Sequence, residues 1–593
     1  MNLRADHIYR TFLRLTRRLS NSQIMMLLAV VVGVLAGVGT YLFEMLLYGI
    51  KYGLTNWFPV DSSHILFLIY PAVGIILATL FVKYIVRDNI SEGVTRVLYA
   101  MSSRNSRIAG HNCWTSIVGG ATTIGFGGSV GPEAPIVLTG AAIGSNVGRI
   151  ARLNYKHTTL LLCCGAGAAL AAIFKAPITG VVFVLEILML DITAGSVIPL
   201  LIASITATTM AFMLRGFDPI LAVTLAPADA FELWQIPLFI LLGVLCGLMA
   251  WYFTSMNSRV GGFFKSIDKQ YKKWLWGGAI LGILIFVFPP LYGEGYEGFT
   301  SLMHGNAQEL FNNSLFYRFR DIDWVIILFV IATMFFKVIA MSTTNAAGGV
   351  GGTFAPSLFV GAFTGASLAL VCNTLFGWEV SIVSFTLVGM AGVMSGVMNA
   401  PLTSIFLIAE LSNGYGLFIP LMITACISFA VDYYLDPDSI YTKQLRQKGE
   451  LLTHDKDQSV FVFLKLEELM ETDFLRIKEN MTLGDIVHII STARRNIFPV
   501  IDNFGRLIGV VQLDDLREDM FKHEKYGHPI SDYMIPPPDK IIEHEAILSV
   551  MEKFEDKHAW MLPVVDKQGR YLGFISKSRI LNAYREQLVK IQQ

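Results

Sequence analysis

The chain has 593 residues, 53% of them hydrophobic, and is formally neutral, with 46 basic against 46 acidic side chains. A mean hydropathy of +0.54 is too high for a water-soluble protein of this length, and the apolar runs are long enough to cross a bilayer. The neutral total hides two compositions: residues 451–593 carry 42 charged side chains, whereas the first 450 residues carry 50, so a membrane part gives way to a soluble part near residue 450.

At the N-terminus, Arg4, Arg10, Arg14, Arg17 and Arg18 alternate with Ile8, Phe12, Leu13 and Leu15. The pattern predicts a basic amphipathic helix on the cytoplasmic surface rather than a signal peptide. A hydrophobic run from Ile24 to Ile50 opens the membrane part, and apolar stretches recur near 64–85, 157–173, 176–190, 197–214, 235–253, 275–289, 323–340, 380–398 and 416–434. Between 119 and 148 lie nine glycines and two prolines with almost no charge. A simple spanning helix would hold fewer breakers and a solvated loop more polar groups, so discontinuous or re-entrant helices are predicted. Within this stretch, Gly127-Gly128-Ser129-Val130-Gly131-Pro132-Glu133-Ala134-Pro135 sets one carboxylate in apolar surroundings. An acid there is costly unless its charge is used, paired or neutralised.

The membrane part also repeats itself. Phe174-Lys175-Ala176-Pro177-Ile178-Thr179-Gly180 leads to Glu186, and Met398-Asn399-Ala400-Pro401-Leu402-Thr403-Ser404 leads to Glu410, each glutamate nine positions after its proline. A Gly-rich element precedes each copy, Gly127–Pro135 and Gly348–Pro356. Two related halves with broken helices in matching places predict a fold of the secondary-transporter kind. Helix N-termini carry unpaired N–H groups and partial positive charge, and glycines let an anion approach the backbone. Gly131, Pro132, Gly352, Thr353, Phe354 and Ala355 therefore form a candidate anion site without a fixed positive side chain, which favours release as well as binding. Glu133, itself an anion, is the candidate gate: protonation would neutralise it and free the site. The bland alternative is a glutamate that merely caps a helix. Tyr441 either donates its hydroxyl to an anion or is an interfacial aromatic anchor. Lys175 either attracts anions in an inner vestibule or snorkels and pairs. Glu186 and Glu410 are read as satisfying backbone groups rather than carrying protons.

In the tail, Phe498–Val511 and Leu562–Ile575 each place a short apolar strand before a Gly-containing turn and a second strand, with amphipathic helices predicted around 483–493, 513–520, 545–555 and 577–588. The six cysteines, Cys113, Cys163, Cys164, Cys246, Cys372 and Cys426, all precede the tail and are read as small buried thiols without metal spacing. No metal site and no nucleophile–base–orienter set is visible, so an enzyme is not expected.

On Gly131-Pro132-Glu133-Ala134-Pro135, Gly352-Thr353-Phe354-Ala355-Pro356 and Tyr441, the chain resembles the CLC family of chloride channels and chloride/proton antiporters over essentially its whole length, and its tail resembles a pair of CBS domains. The resemblance implies a polytopic α-helical membrane protein with inverted internal repeats and broken helices (residues 1–445), a linker (446–464), and a cytoplasmic α/β pair of CBS domains (465–526 and 527–593). It implies Glu133 as the external gating glutamate, with the Gly352–Pro356 amides and Tyr441 on the central anion. Three departures stand out. Pro132 and Ala134 replace a basic residue and a glycine. Ser91-Glu92-Gly93-Val94-Thr95 stands where the family has G-S-G-I-P, so Glu92 takes the place of an anion-binding serine and becomes a second candidate titratable group, unless it pairs with a base such as Arg87. Ile187 occupies the inner proton-transfer position and cannot titrate.

The expected function is chloride or related anion transport across a bacterial inner membrane by a homodimer, coupled to proton antiport. A passive gated chloride channel is the first alternative, and a membrane-anchored nucleotide sensor with a vestigial anion path the second. The partners are the anion, protons and the bilayer, with no nucleic acid. No cofactor is required, although an adenine nucleotide regulator would use Gln512 and Asp515 in the first CBS unit and Ser576 and Arg579 in the second.

Overall fold

The computed structural model describes residues 19–57, 66–103, 106–190, 193–217, 231–304, 306–412, 414–447, 464, 466–491, 493 and 495–592. The basic N-terminal segment and most of the 446–464 linker lie outside the described residues. The chain divides into two compact units, Met1–Leu451 and Leu452–Gln593.

The first unit is helical. In chain order it contains α1 (Asn21–Trp57), α2 (Leu66–Leu80, continued by a π-helical stretch Phe81–Val86), α3 (Gly93–Ser103), α4 (Asn112–Gly125), α5 (Glu133–Ile150), α6 (Tyr155–Phe174), α7 (Pro177–Glu186) and α8 (Ala194–Arg215). There follow α9 (Ile236–Lys265), α10 (Gln270–Val287), α11 (Tyr296–Met303), α12 (Asp323–Ala347), α13 (Phe354–Phe376), α14 (Ile382–Met398), α15 (Pro401–Leu411), α16 (Phe418–Leu435) and α17 (Ile440–Gln447). Among the described residues, eight helices are long and apolar enough to cross a membrane, while α7, α14 and α15 are apolar but shorter. One spanning helix, α13, is missing from the apolar stretches read from the sequence, although its mean hydropathy of 1.7 equals that of α6.

The repeat is visible in the packing. Contacts of α1 with α6 and α8, and of α6 with α5, α7 and α8, recur as α9 with α14 and α16, and α14 with α13, α15 and α16. Local signals recur with them. Asn154 caps α6 and Ser381 caps α14, each by accepting an N–H three residues on. Lys175 and Asn399 end those helices in left-handed conformation, and Ala-Pro then starts α7 and α15. Close approach needs glycine at the same places: Gly140 and Gly144 of α5 pass against the Gly165 and Leu161 carbonyls, and Gly361 and Gly365 of α13 against those of Gly389 and Phe385. In an apolar medium such small-residue contacts hold helices together by packing.

The second unit contains two three-stranded sheets. In the first, β1 (Ile477–Lys478) pairs parallel with β2 (Ile497–Ile501), which pairs antiparallel with β3 (Leu507–Gln512); in the second, β4 (Ile541–Ile542), β5 (Met561–Val565) and β6 (Tyr571–Ser576) repeat the order. Amphipathic helices Leu483–Ile490, Ile547–Asp556 and Lys577–Gln592 flank them. The leading strands β1 and β4 are additions to the β-β-α reading, too short to carry an alternating pattern. The turns of the two hairpins are joined where Leu507 N–H donates to Gly569 (3.0 Å) and Tyr571 N–H donates to Gly505 (3.0 Å).

Replacing Gly144 or Gly365 with Val drives a branched side chain into a carbonyl of the adjacent helix, so the detergent-extracted protein is expected to lose roughly 1–3 kcal/mol. Among the described residues, nothing lies within 4 Å of a would-be Cβ on Gly49, and Gly49→Ala is expected to leave the thermal unfolding midpoint unchanged or slightly raised. Equal losses at all three positions would contradict this packing.

Candidate functional site

The loop that ends at α5 and the loop that ends at α13 meet in an antiparallel bridge. Gly131 N–H donates to the Gly352 carbonyl at 3.0 Å, and Gly352 N–H returns a bond to the Gly131 carbonyl at 2.7 Å. The bridge is braced from both sides in the same way. Val350 N–H donates to the Thr123 hydroxyl (3.0 Å), and Ser129 N–H donates to the Thr344 hydroxyl (3.3 Å). Gly128 and Gly349 close matching turns on the Thr123 and Thr344 carbonyls, each at 2.9 Å. Two helix N-termini, α5 at Glu133 and α13 at Phe354, are thereby set side by side. A third, α3, reaches the same place, because Gly93 presses against the Ala134 carbonyl so closely that no Cβ fits.

Glu133 is 1% exposed. Its carboxylate lies on the bridge: Oε2 occupies the space a Gly131 Cβ would need and is 3.3 Å from the corresponding point on Gly352. The backbone amides of Glu133 and Ala355 lie close to the carboxylate, although Oε2 makes no hydrogen bond of ordinary geometry. Oε1 accepts from the Tyr296 hydroxyl at 3.1 Å. The acid thus occupies the mouth of two helix N-termini, where an inorganic anion would also be stabilised.

On the other side of the bridge is a cavity of about 410 Å³, lined by Glu92, Gly93, Ala134, Gly352, Thr353 and Tyr441, with Lys265, Lys273 and Lys443 also on its wall. Tyr441 is 7% exposed and is presented by α17, which is tied to α3 by the Thr95 hydroxyl donating to Gln444 Oε1 at 2.7 Å. Its hydroxyl neighbours that of Thr353. Phe354 stacks on Phe174 with ring centroids 5.5 Å apart. Sequence reasoning grouped Glu133, Gly131, Pro132, Gly352–Ala355, Tyr441 and Glu92, and the fold brings all of them around the bridge or the cavity. Arg87 ends the π-helical stretch and donates from Nε to the Tyr84 carbonyl (3.3 Å). Ile187 is buried and does not line the cavity. Lys175 is likewise absent from the cavity wall: it donates to the Gly216 carbonyl at 2.8 Å, beyond the end of α8, and packs on Phe212.

Glu186 and Glu410 bond across the two halves. Glu186 accepts from the Leu402 and Thr403 N–H groups (3.0 and 2.7 Å) and the Thr403 hydroxyl (2.6 Å). Glu410 accepts from Ile178 and Thr179 N–H groups (3.0 and 2.8 Å) and the Thr179 hydroxyl (2.5 Å). Each glutamate at the end of one short helix caps the start of the other. Tyr296 and Lys337 are the residues sequence reasoning missed; Lys337 is a fully buried lysine in an apolar run, a signal that could have been read.

In the second unit, Gln512, Asp515 and Arg579 are exposed and Ser576 is buried. The Ser576 hydroxyl donates to Glu471 Oε1 (2.8 Å), and Glu471 Oε2 pairs with Arg495 (2.7 Å). The Ser576 hydroxyl is therefore engaged by a carboxylate. Of the cysteines, Cys113 is half-buried and Cys426 exposed, rather than buried as the other four are.

The family model described as "Voltage gated chloride channel" matches residues 73–433, and that of the CBS domain matches 466–522 and 530–586. The chain is 27% identical over 389 residues to "Putative chloride channel protein ClcB-like" of Ralstonia nicotianae, covering 65% of this chain and 86% of that protein. It is 27% identical over 436 residues to "H(+)/Cl(-) exchange transporter ClcA" of Vibrio cholerae, covering 71% and 88%. Among solved structures, a slow cyanobacterial Cl⁻/H⁺ antiporter aligns with a TM-score of 0.61 at 23% identity over 72% of this chain and 97% of that one. A eukaryotic CLC transporter aligns with a TM-score of 0.60 at 16% identity over 94% and 97%.

Glu186→Ala or Glu410→Ala strips the caps from a helix start, and each is expected to cost about 2 kcal/mol of stability while leaving the ratio of anion to proton flux unchanged in the protein that folds. A changed ratio at normal stability would assign these acids to the proton path instead.

Proposed function

The chain belongs to the voltage gated chloride channel family, and from that premise we propose that its membrane unit exchanges chloride for protons with Glu133 as the gate. Family membership makes the protein a multi-pass membrane anion transporter with a CBS pair and not an enzyme; the exchange, the gate and the ion are our reading. One observation carries it: a buried carboxylate seated on the Gly131–Gly352 bridge, between two helix N-termini. Seated and ionised, Glu133 takes the place of the permeant anion. Protonated, it loses its attraction for the helix ends, leaves the bridge and admits the anion. Deprotonation on the outer side returns it and releases the anion inward, past Gly352, Thr353 and Tyr441, so that one site serves both ions in turn.

Glu92 gives the inner side an acidic group in the cavity wall, immediately before α3. In this reading it stands in for the acid that Ile187 replaces. Passive permeation gated by Glu133 is the second reading, favoured by Ile187. The chain functions as a homodimer in a bacterial inner membrane with its CBS pair in the cytoplasm. Regulation through that pair is part of the proposal; an adenine nucleotide would rest on Asp515 for ribose and Arg579 for phosphate, since Ser576 is engaged by Glu471.

Chloride and proton fluxes measured together in liposomes decide between the readings. Proton uptake driven uphill by a chloride gradient is expected; chloride flux without it leaves the channel. Glu133→Gln is expected to abolish coupling and flatten the pH dependence of chloride flux, and unchanged coupling removes the gate from Glu133. Glu92→Ser is expected to alter anion selectivity or pH response while chloride still permeates, and an unchanged flux profile assigns Glu92 to packing. Calorimetric titration of the full chain with ATP and AMP, repeated for Asp515→Ala, tests the nucleotide: binding that survives the substitution excludes the proposed ribose contact.

A further inference from the structure

One buried charge has no part in the exchange described above. Lys337 on α12 is fully buried, and an ammonium group among apolar helices is costly unless its charge is used. It donates to the Gly293 carbonyl at 2.9 Å, faces the Leu291 carbonyl at 3.5 Å, and stands 4.9 Å from the Phe359 ring centroid. Residues 291–295 run directly into α11, whose first residue, Tyr296, donates to Glu133. Two further contacts hold the same segment: Gly293 N–H donates to the Gly127 carbonyl at 3.3 Å, and Glu294 pairs with Lys51 at 3.6 Å. Gly295, with φ +92°, leaves no room for a Cβ, which would meet the Phe359 ring at 2.5 Å and Lys337 Nζ at 3.2 Å.

We propose that Lys337 and Tyr296 are positioning residues of the gate: Lys337 ties down the 291–295 strap, and the strap aims the Tyr296 hydroxyl at the Glu133 carboxylate, holding it on the bridge. This rests on Glu133 being the gate. A phenol O–H bonded to a carboxylate favours the ionised, seated acid over the neutral, departing one. Among the described residues, other ionisable groups near Glu133 include Glu294, before α11, and Tyr441, on α17. Tyr296 also lies near Glu44 of α1, itself paired with Arg215 at 2.6 Å, and Lys337 lies near Glu294 and Lys51. None of these substitutes for the Tyr296 donor.

The test is chloride flux from liposomes holding the full chain, measured across a pH series. Tyr296→Phe keeps the ring, which packs edge-on against Phe299 at 5.5 Å, and removes only the donor; it is expected to move the midpoint of the flux–pH curve upward by about one pH unit. Lys337→Met is expected to move it the same way, the double variant no further than the larger single shift, and Lys337→Gln, which keeps a donor for the Gly293 carbonyl, less. In a Glu133→Gln background Tyr296→Phe is expected to change nothing. An unmoved midpoint for Tyr296→Phe, where Glu133→Gln still flattens the curve, overturns the strap and leaves the gate standing; a curve that Glu133→Gln does not flatten overturns the gate itself. A Tyr296→Phe effect that persists beside Glu133→Gln assigns Tyr296 to packing and also overturns the strap. A Lys337→Met protein that folds with a normal midpoint removes Lys337 from it, and where that variant does not fold, Tyr296→Phe decides alone.

Discussion

Two hydrogen bonds between Gly131 and Gly352 tie the loop before one broken helix to the loop before its counterpart. Everything at the site is placed by that tie. Both helices begin there, so their unpaired N–H groups face one small volume. A Cβ on Gly131 would take the place of the Glu133 carboxylate, and one on Gly352 would crowd Ala134 and that carboxylate at 3.1–3.3 Å. The Thr123 and Thr344 hydroxyls, each reaching across to the opposite loop, fix the orientation of the loops as well as their distance. A buried carboxylate would be a liability in an apolar helix bundle. Here the backbone dipoles that make room for an anion also make room for the acid.

The two halves match closely around this tie, and the function depends on where they do not. Position for position, Glu133 in the first half corresponds to Phe354 in the second, each the first residue of its helix. A second acid there would set two negative charges on one bridge and repel both. An aromatic residue instead stacks on Phe174 and closes the site without adding charge. Lys175 and Asn399 differ in the same manner: both end a helix in left-handed conformation, yet the lysine reaches the Gly216 carbonyl and the asparagine that of Pro437. The reciprocal caps of Glu186 and Glu410, by contrast, are kept identical in kind. They join the halves and need symmetry.

What the sequence made legible follows from the range of each interaction. The Gly-Pro-Glu-Ala-Pro and Gly-Thr-Phe-Ala-Pro elements announce helix starts because proline, glycine and the missing N–H act within one turn. Proline and glutamate nine residues apart betray the repeat because both copies retain the spacing. Tyr296 escaped notice because its partner is 163 residues away and a tyrosine beside Gly295 has the composition of any turn. The threonine braces were equally hidden: a hydroxyl in a helix ordinarily bonds its own preceding turn, as Thr123 and Thr344 also do, and nothing local tells of the second bond. In the tail, the strand–turn–strand pattern was plain, whereas the engagement of Ser576 by Glu471 depends on a residue 105 positions away.

The inner side poses a sharper electrostatic problem than the gate. The cavity wall carries three lysines and Glu92, and Lys443 is paired with Asp436, so an anion there meets charges of both signs. Glu92 sits immediately before α3, whose N-terminus is the third helix start to reach the bridge and in the proposed exchange favours an anion there. The proposed exchange thus draws on two carboxylates, Glu133 on the bridge at the start of α5 and Glu92 on the cavity wall before α3, while the buried Ile187 lies off that wall.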